Sequence, residues 1–466
     1  MTCCRPSRRG LLRLMAAGVL LPAAGLARAG VGRAATEPMI ATDLEIVTVT
    51  DVSVVVTWST VSPDHVDAYG RPVGIDADTE LRIGPADSVA VPVVTLFDAT
   101  PTPYHYAEVH GLEPGRAYRV EAYSYGVRAV PSMVSTTLVG APEAAGRFTT
   151  LVPPPGRLVR TVALSNDVHF GEEVSGLIAG GQPPGFSQDP GLPPYTEAML
   201  DAMLDDLRRS DRGADHLLVA GDVTSEARSS ESHSARARLD SWGGLGRDWF
   251  VSRGNHDRPH GGRDSWGEAF IPRQELQTYD LGGLRMLAVD TSAPEAAGGV
   301  IDPSQLAAVR DEFRSDKDRP TVVFGHHPVT FEAATTNIAG PGFVLERGAA
   351  GELQQLYAGA PGVFLHHSGH THRNRRTRPD RDDVAVEFLE VGAVKEYPGG
   401  YSLLRIYDGG YMVNFYKTRT DLARRWSART RGQYYGLFGD YAFGTFDDRN
   451  HVVVRDLSGL SAAAAR

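Results

Sequence analysis

Between residues 39 and 150, short runs rich in valine, threonine and tyrosine are separated by glycine and proline. The runs at residues 45–50, 53–58 and 118–124 have the composition and length of β-strands. No helical periodicity separates them. The pattern predicts a small all-β sandwich over residues 38–150.

Three consecutive prolines, Pro153, Pro154 and Pro155, predict a stiff linker at residues 151–157. Beyond it, apolar runs alternate with helical patterns such as residues 196–208. The predicted strands lie at residues 159–164, 216–220, 249–252, 284–289, 321–324, 363–365, 384–389, 402–406 and 411–415. This alternation predicts an α/β layer architecture over residues 158–420. We expect the aromatic-rich extension at residues 421–466 to pack on it.

The first 35 residues differ from the rest of the chain. Arg8 and Arg9 precede an apolar run at residues 14–26 and the small-residue triplet at 27–29, a pattern that resembles a twin-arginine export signal. An uncleaved membrane anchor is the alternative, but the run is shorter than the ~20 residues that span a bilayer. We therefore expect an exported protein without a membrane span after signal removal.

The composition bears on two functions, metal binding through thiolates and nucleic-acid binding. Both cysteines, Cys3 and Cys4, lie within the signal, so the mature chain has no thiolate to offer a metal. Removal of residues 1–29 takes five arginines and changes the formal charge from −10 to −15. Such an acidic chain is a poor candidate for binding the negatively charged backbone of a nucleic acid, and the sequence shows no nucleic-acid-binding surface.

Candidate site residues follow five of the predicted strands, where an α/β sheet presents its loops. They are carboxylates, imidazoles and one amide. In chain order they are Asp167, His169, Asp222, Asn255, His256, Asp257, His326, His370 and His372.

Oxygen and nitrogen ligands of these types suit iron, manganese or zinc when thiolates are absent. On extended segments, Asp167-x-His169 and His370-x-His372 would each place two side chains on one side. A single pair of this kind is common in turns. Five ligand-bearing loops in this order predict a metal centre.

The order of the motifs resembles the signature of the calcineurin-like metallophosphoesterases, over about residues 159–417. The resemblance implies a β-sandwich flanked by helices that holds two divalent or trivalent metal ions. The implied ligands of the first ion are Asp167, His169, Asp222 and His372. Those of the second ion are Asp222, Asn255, His326 and His370.

In the same resemblance, His256 is the general acid for the leaving alkoxide, and Asp257 orients its ring. Two cations about 3.5–4 Å apart clamp the oxygens of an in-line displacement at phosphorus, and a hydroxide held between them attacks. We expect hydrolysis of phosphodiesters, phosphomonoesters or both, on a small-molecule or polymer ester.

The amino-terminal strands resemble a fibronectin type III module, with Trp58 ending an early strand and Tyr118 at the position of that fold's corner tyrosine. Purple acid phosphatases pair such a module with this catalytic fold, but carry a metal-binding tyrosine three residues after the bridging aspartate. Ser225 stands there in this chain, and their first motif lacks a counterpart of His169. The pattern is closer to bacterial cyclic-nucleotide and broad-specificity phosphodiesterases.

Two alternatives stay open at this point. One is a phosphomonoesterase of the purple acid phosphatase type, and the other is a surface-binding protein whose metals only brace the fold. His327, beside a predicted ligand, could contact the substrate or a ligand. His366 and His367 lie in a predicted buried strand and are left out of the site. The natural substrate, the metals and the oligomeric state stay open as well.

Overall fold

The computed structural model describes residues 38–460, apart from 68–69, 89–93, 134, 136–139, 177–184, 260, 274, 294 and the side chain of Tyr435. The chain from Pro38 onward forms one compact unit. The predicted export signal at residues 1–35 lies outside the described residues. In the part of the chain that is described, no helix is long and apolar enough to cross a bilayer.

The amino-terminal strands form two antiparallel sheets. The strands are β1 (Ile40–Val49), β2 (Ser53–Val66), β3 (Pro72–Gly74), β4 (Ala77–Pro85), β5 (Val94–Thr102), β6 (Tyr104–His110), β7 (Ala117–Ser124), β8 (Val127–Arg128) and β9 (Arg147–Thr149). One sheet has the order β1-β2-β3 with β6 also on β2, and the other has the order β5-β4-β7-β8 with β9 also on β7. Buried residues alternate with partly buried ones along most of β4 and β7, so this sheet turns one face to the core.

Trp58, Leu81 and Val120 lie in the core of this sandwich. The indole of Trp58 stacks on His105 with a centroid distance of 4.8 Å. The hydroxyl of Tyr118 accepts a hydrogen bond of 2.9 Å from the backbone N–H of Glu113, the contact expected of a corner tyrosine. Descent from fibronectin type III modules stays a prediction.

Residues 151–157 contain no helix or strand. The strands that follow are β10 (Leu158–Ser165), β11 (Val174–Ser175), β12 (Phe186–Ser187), β13 (His216–Ala220), β14 (Trp249–Ser252), β15 (Gln277–Leu281), β16 (Leu284–Val289), β17 (Thr321–Gly325), β18 (Val363–Ser368), β19 (Arg375–Thr377), β20 (Glu387–Glu390), β21 (Gly400–Tyr407), β22 (Gly410–Lys417) and β23 (Asn450–Val454). They form two six-stranded sheets, β14-β13-β10-β21-β22-β23 and β15-β16-β17-β18-β20-β19, and a small hairpin of β11 and β12.

The helices are α1 (Pro142–Ala145), α2 (Tyr195–Leu207), α3 (Ser229–Asp240), α4 (Ser265–Ala269), α5 (Pro303–Ser315), α6 (Phe331–Thr336), α7 (Arg347–Ala358), α8 (Asp421–Thr430), α9 (Phe438–Phe443) and α10 (Phe446–Arg449), with 3₁₀ turns at Pro341–Phe343 and Tyr434–Gly436. Side chains next to the first turn cap several of these helices. The Asp302 carboxylate caps α5, which begins with Pro303, and the Thr420 hydroxyl caps α8.

Successive residues of β16 and of β17 face two different hydrophobic cores. Met286 and Phe324 lie in the core shared by both six-stranded sheets, whereas Leu287 and Val323 lie in a second core with residues of α5 and α7. Side chains alternate between the faces of a strand, so the second sheet is covered on both sides. The part of the chain that carries these two sheets is therefore a β-sandwich flanked by helices, as predicted.

Residues 421–460, the described part of the extension, pack on the sheets and also add a strand to one of them. Its strand β23 pairs antiparallel with β22, joining Met412 to Val452 and Val413 to His451. The added strand covers an edge of β22 that would otherwise expose unpaired backbone groups. Phe438 and Phe443 from the same extension lie in the main core.

Glu45 of β1 joins the amino-terminal sheets to the part of the chain that carries the six-stranded sheets. It is 4% exposed, and its carboxylate accepts hydrogen bonds from the hydroxyls of Tyr397 at 2.6 Å and Thr57 at 3.2 Å. It also pairs with Lys417 and, at 3.2 Å, with Arg431. Burial alone would raise the pKa of Glu45, but Lys417 and Arg431 outweigh it and lower the pKa to about 2.

We expect Glu45→Gln to lower the free energy of unfolding at pH 7 by about 3–5 kcal/mol, because buried cations would lose their carboxylate. A pKa depressed from 4.5 to about 2 contributes stability above pH 4.5 that is lost as the pH falls towards 2. The variant should therefore lose less stability than the wild type over that interval. Urea denaturation at a series of pH values measures both effects.

Glu80→Gln is the matched control, since Glu80 pairs with the 40% exposed side chain of Arg82 on the surface of the same sandwich. It should change the free energy of unfolding by less than about 1 kcal/mol. Equal losses from the two variants would contradict the assigned role of Glu45.

Candidate metal centre

The predicted site residues lie on loops at the carboxyl ends of five strands. β10, β13 and β14 run parallel in the first six-stranded sheet, and β17 and β18 run parallel in the second. Because these ends meet at one edge of the sandwich, the five loops converge there.

Asp222 lies between histidines from two different loops. Its Oδ2 is 3.4 Å from Nε2 of His169 and 3.1 Å from Nε2 of His326. This placement is the one that a carboxylate bridging two cations requires.

The other four predicted ligands complete two groups. In the first group, Nε2 of His372 lies 3.2 Å from Oδ1 of Asp167. In the second group, Oδ1 of Asn255 lies 3.1 Å and Nδ1 of His370 lies 3.0 Å from Nε2 of His326. The structure thus brings all seven predicted ligands together, and their division between two ions stays a prediction.

The donor set fits metal ions. Oδ1 of Asp167 and Nε2 of His169 are buried without a hydrogen-bond partner. An unsatisfied buried polar atom costs about 1–3 kcal/mol. Cations at this position would satisfy both atoms.

Five of the ligands have left-handed backbone conformations. The positive φ angles are 52° at Asp167, 47° at His169, 50° at Asp222, 69° at His370 and 55° at His372. The expectation that the Asp-x-His and His-x-His pairs lie on extended segments is therefore wrong. Sharp turns direct both members of each pair to the centre, and such turns cost about 1–3 kcal/mol per residue at sites that the surrounding packing holds in place.

Two glycines leave room for these side chains. A Cβ atom at Gly254 would lie 2.2 Å from Oδ1 of Asp222, and one at Gly221 would lie 2.7 Å from the ring of His326. Gly221 also has a φ of 80°. Any larger residue at either position would displace a predicted ligand.

Partners on the far side of each ring direct three imidazoles to the centre. Nδ1 of His326 lies 2.8 Å from the carbonyl oxygen of Ala220, and Nδ1 of His372 lies 2.7 Å from Oε1 of Glu396. Nδ1 of His169 lies at an ion-pair distance of 3.0 Å from Oε2 of Glu172, without the geometry of a hydrogen bond. In each case Nε2 is left to face the centre.

Buried charges at the centre shift the pKa values of several predicted ligands. Burial would raise the pKa of Asp222, but His326 and His256 outweigh it and hold that pKa well below its usual range. Burial would lower the pKa of His326, but the Asp222 carboxylate raises it to about 9. Burial and the neighbouring His327 and His326 hold the pKa of His370 well below its usual range. The carboxylate is therefore ionised near neutral pH, while His326 holds a proton that a cation must displace.

The structure corrects one role. Asp257 was expected to orient the ring of His256, but Nδ1 of His256 lies 2.7 Å from the carbonyl oxygen of Ser225. The carboxylate of Asp257 instead accepts hydrogen bonds from the backbone of Val223, Thr224 and Gly254. Asp257 therefore holds two site loops together. The Asp257 side chain takes this role because it is fully buried beneath the two loops.

The remaining neighbouring histidines have partners in the protein. Nδ1 of His327 lies 2.7 Å from the Thr291 hydroxyl, which favours the role beside a ligand over a substrate contact. His366 meets the hydroxyl of Tyr357 at 2.6 Å, and His367 meets the carbonyl oxygen of Ser165 at 3.2 Å. Both are buried strand residues, as expected.

Sequence reasoning missed Glu172, Lys395, Glu396 and Phe343. The ring of Phe343 stacks on that of His370 with a centroid distance of 4.0 Å. Glu172 follows His169 by three residues, a spacing that could have suggested it. No local pattern distinguishes the other three from ordinary loop residues.

We expect binding of Mn²⁺ or Zn²⁺ at pH 7.5 to release protons, because the raised pKa of His326 leaves a proton on the ring that the cation replaces. Metal affinity should rise with pH up to about 9. Calorimetric titration in buffers of different ionisation enthalpy measures the protons released. The pKa values of His169 and His372 are raised as well, so binding without proton release would contradict the assignment of all three histidines.

Residues 160–374 match the sequence model of the calcineurin-like phosphoesterase family. Over 136 residues the chain is 30% identical to a 3′,5′-cyclic adenosine monophosphate phosphodiesterase, CpdA, of Pseudomonas aeruginosa, covering 29% of this chain and 47% of that protein. Over 218 residues it is 27% identical to a probable cyclic nucleotide phosphodiesterase of a Synechococcus strain, covering 45% and 79%. The chain thus spans about half the length of the first of these relatives.

Alignments of this chain with two solved structures have TM-scores below 0.5. A purple acid phosphatase from yellow lupin seeds is 15% identical and aligns with a TM-score of 0.42 over 91% of this chain and 76% of its own. A dimetal phosphatase from Danio rerio is 14% identical and aligns with a TM-score of 0.44 over 56% and 98%. The family match spans all five loops that carry the predicted ligands, so residues 160–374 are similar to the calcineurin-like phosphoesterases over the part of the chain that holds the candidate metal centre.

Proposed function

We propose that this protein is a metallophosphoesterase that hydrolyses phosphodiesters, and phosphomonoesters as secondary substrates, at a centre of two metal ions. The observation that carries the proposal is the position of Oδ2 of Asp222, within 3.4 Å of Nε2 atoms from His169 and His326. The names of the two relatives favour diesters, with cyclic nucleotides as the first compounds to test.

Two bound cations would supply Lewis-acid polarisation of the phosphoryl group and a lowered pKa for water. Asp167, His169 and His372 would hold one of them, and Asn255, His326 and His370 the other, with Asp222 shared. Iron, manganese and zinc fit this set of nitrogen and oxygen donors. The neutral amide of Asn255 limits the negative charge at a site that must admit a phosphate.

His256 is proposed as the general acid. Its Nδ1 is held by the carbonyl oxygen of Ser225, so Nε2 is the atom that can carry a proton to the leaving oxygen. Burial lowers the pKa of His256, which makes the protonated ring a stronger acid. Its ring centroid lies 4.5 Å from that of His169, beside the proposed ions.

We also propose that the protein is exported through the signal at residues 1–35. The supporting pattern is the pair Arg8 and Arg9 before an apolar run. Expression of the chain with Arg8→Lys and Arg9→Lys, followed by fractionation, tests this. Unchanged export of the variant would contradict the twin-arginine route.

We expect Asp222→Asn to reduce hydrolysis of bis(p-nitrophenyl) phosphate to background, because the shared carboxylate would lose the charge that holds two cations together. Metal content and turnover should be measured on the same preparation. Glu390→Gln is the control, since this buried carboxylate pairs with Arg373 at 2.8 Å. Loss of activity in both variants would mean that the loss is not specific to the shared carboxylate of Asp222.

His256→Gln should slow hydrolysis of alkyl phosphodiesters by about 10²–10⁴-fold. Aryl esters should lose much less, because their leaving groups need little protonation. The measurement is kcat across a series of diesters with leaving groups of increasing pKa. A uniform loss across the series would argue against the acid role.

A further inference from the structure

A cluster of charged side chains lies behind the imidazoles of the first ion group. We call Glu172, Lys395 and Glu396 the carboxylate–lysine cluster. Glu172 faces Nδ1 of His169 at 3.0 Å, and Glu396 accepts a hydrogen bond of 2.7 Å from Nδ1 of His372. Two histidines from separate loops therefore have carboxylates behind them.

Lys395 connects the cluster to a third predicted ligand. Its Nζ lies 2.7 Å from each carboxylate oxygen of Glu172, and its side chain is 6% exposed. Its backbone N–H donates to the carbonyl oxygen of Asp167 at 3.1 Å. With two carboxylates and one ammonium, the cluster carries one net negative charge.

Neighbouring side chains fix the cluster in place. The Tyr195 hydroxyl donates to Glu172 at 2.6 Å. Ser175 and Gln433 donate to Glu396, the latter at 2.9 Å. These partners come from α2, β11 and the carboxyl-terminal extension, so neither carboxylate is free to turn away from its histidine.

The second ion group lacks such charges among the described residues that orient its ligands. His326 is oriented by the neutral carbonyl oxygen of Ala220, and Asn255 contributes a neutral amide. A carboxylate that accepts the Nδ1–H of an imidazole makes its Nε2 a stronger ligand than a carbonyl does. The two halves of the centre therefore differ in the charge behind their ligands.

We infer that Glu172, Lys395 and Glu396 are positioning residues that make the site of Asp167, His169 and His372 the tighter of the two metal sites. The inference rests on the proposed two-metal centre and not on the reaction. An ion at that site is retained at chelator concentrations that remove the ion bound by Asn255, His326 and His370.

Two single-site backgrounds separate the ions. His326→Ala disables the second site, and His169→Ala disables the first. In the His326→Ala background, Glu396→Gln should weaken Mn²⁺ binding on the order of ten- to a hundredfold. In the His169→Ala background, the same substitution should leave Mn²⁺ binding unchanged. Chelator competition with electron paramagnetic resonance of free Mn²⁺ measures affinity without any substrate.

Glu390→Gln is the matched control, because Glu390 is equally buried and contacts Thr371 and Arg373 of the same loop. Glu390→Gln should leave the affinity for Mn²⁺ unchanged in both backgrounds. If Glu396→Gln does not fold, Glu172→Gln tests the same prediction through His169. Equal weakening in both backgrounds, no weakening in either, or an equal effect of Glu390→Gln would overturn the inference. Loss of hydrolysis with the expected affinities would leave it standing and count against the proposed reaction alone.

Discussion

The structure depends on one shared carboxylate. Oδ2 of Asp222 must lie close to imidazoles that belong to two different sheets, His169 after β10 and His326 after β17. The Asp222 carboxylate therefore lies where the carboxyl ends of the two sheets meet. Left-handed turns occur at five predicted ligands, and Gly254 leaves room for the Asp222 side chain. The strain in these turns is tolerated because two packed sheets hold the loops from below.

Burial of so many ionisable groups is stable only when each has a partner of opposite charge or a hydrogen bond. Asp257 achieves this through backbone N–H groups, and Glu172 through Lys395. The consecutive residues Lys395, Glu396 and Tyr397 connect three regions of the protein. Lys395 pairs with Glu172, Glu396 with His372, and Tyr397 with Glu45 of the amino-terminal sandwich. The metal centre and the sandwich are therefore held by one short segment.

Much of the architecture was predictable because it follows from local patterns. The strands at His216–Ala220, Trp249–Ser252 and Leu284–Val289 have the predicted limits, since each is a short apolar run between polar breaks. Several other strands extend one to three residues beyond the apolar run, as at Val363–Ser368, where His366 and His367 continue the strand. The strand predicted at residues 384–389 begins only at Glu387, and the one predicted at residues 53–58 continues to Val66. Polar residues in a buried strand hide its end from a pattern of hydrophobicity.

The sequence by itself determined the type and order of the predicted ligands, because acidic, amide and imidazole groups after apolar strands are visible along the chain. Only the tertiary structure decided which groups stand behind those ligands. Glu172 and Lys395 are 223 residues apart, and Lys417 and Glu45 are 372 apart. The tertiary structure also decided that the carbonyl oxygen of Ser225, and not the carboxylate of Asp257, orients the ring of His256. Contacts between distant loops depend on how sheets pack, and spacing along the chain carries no signal of that packing.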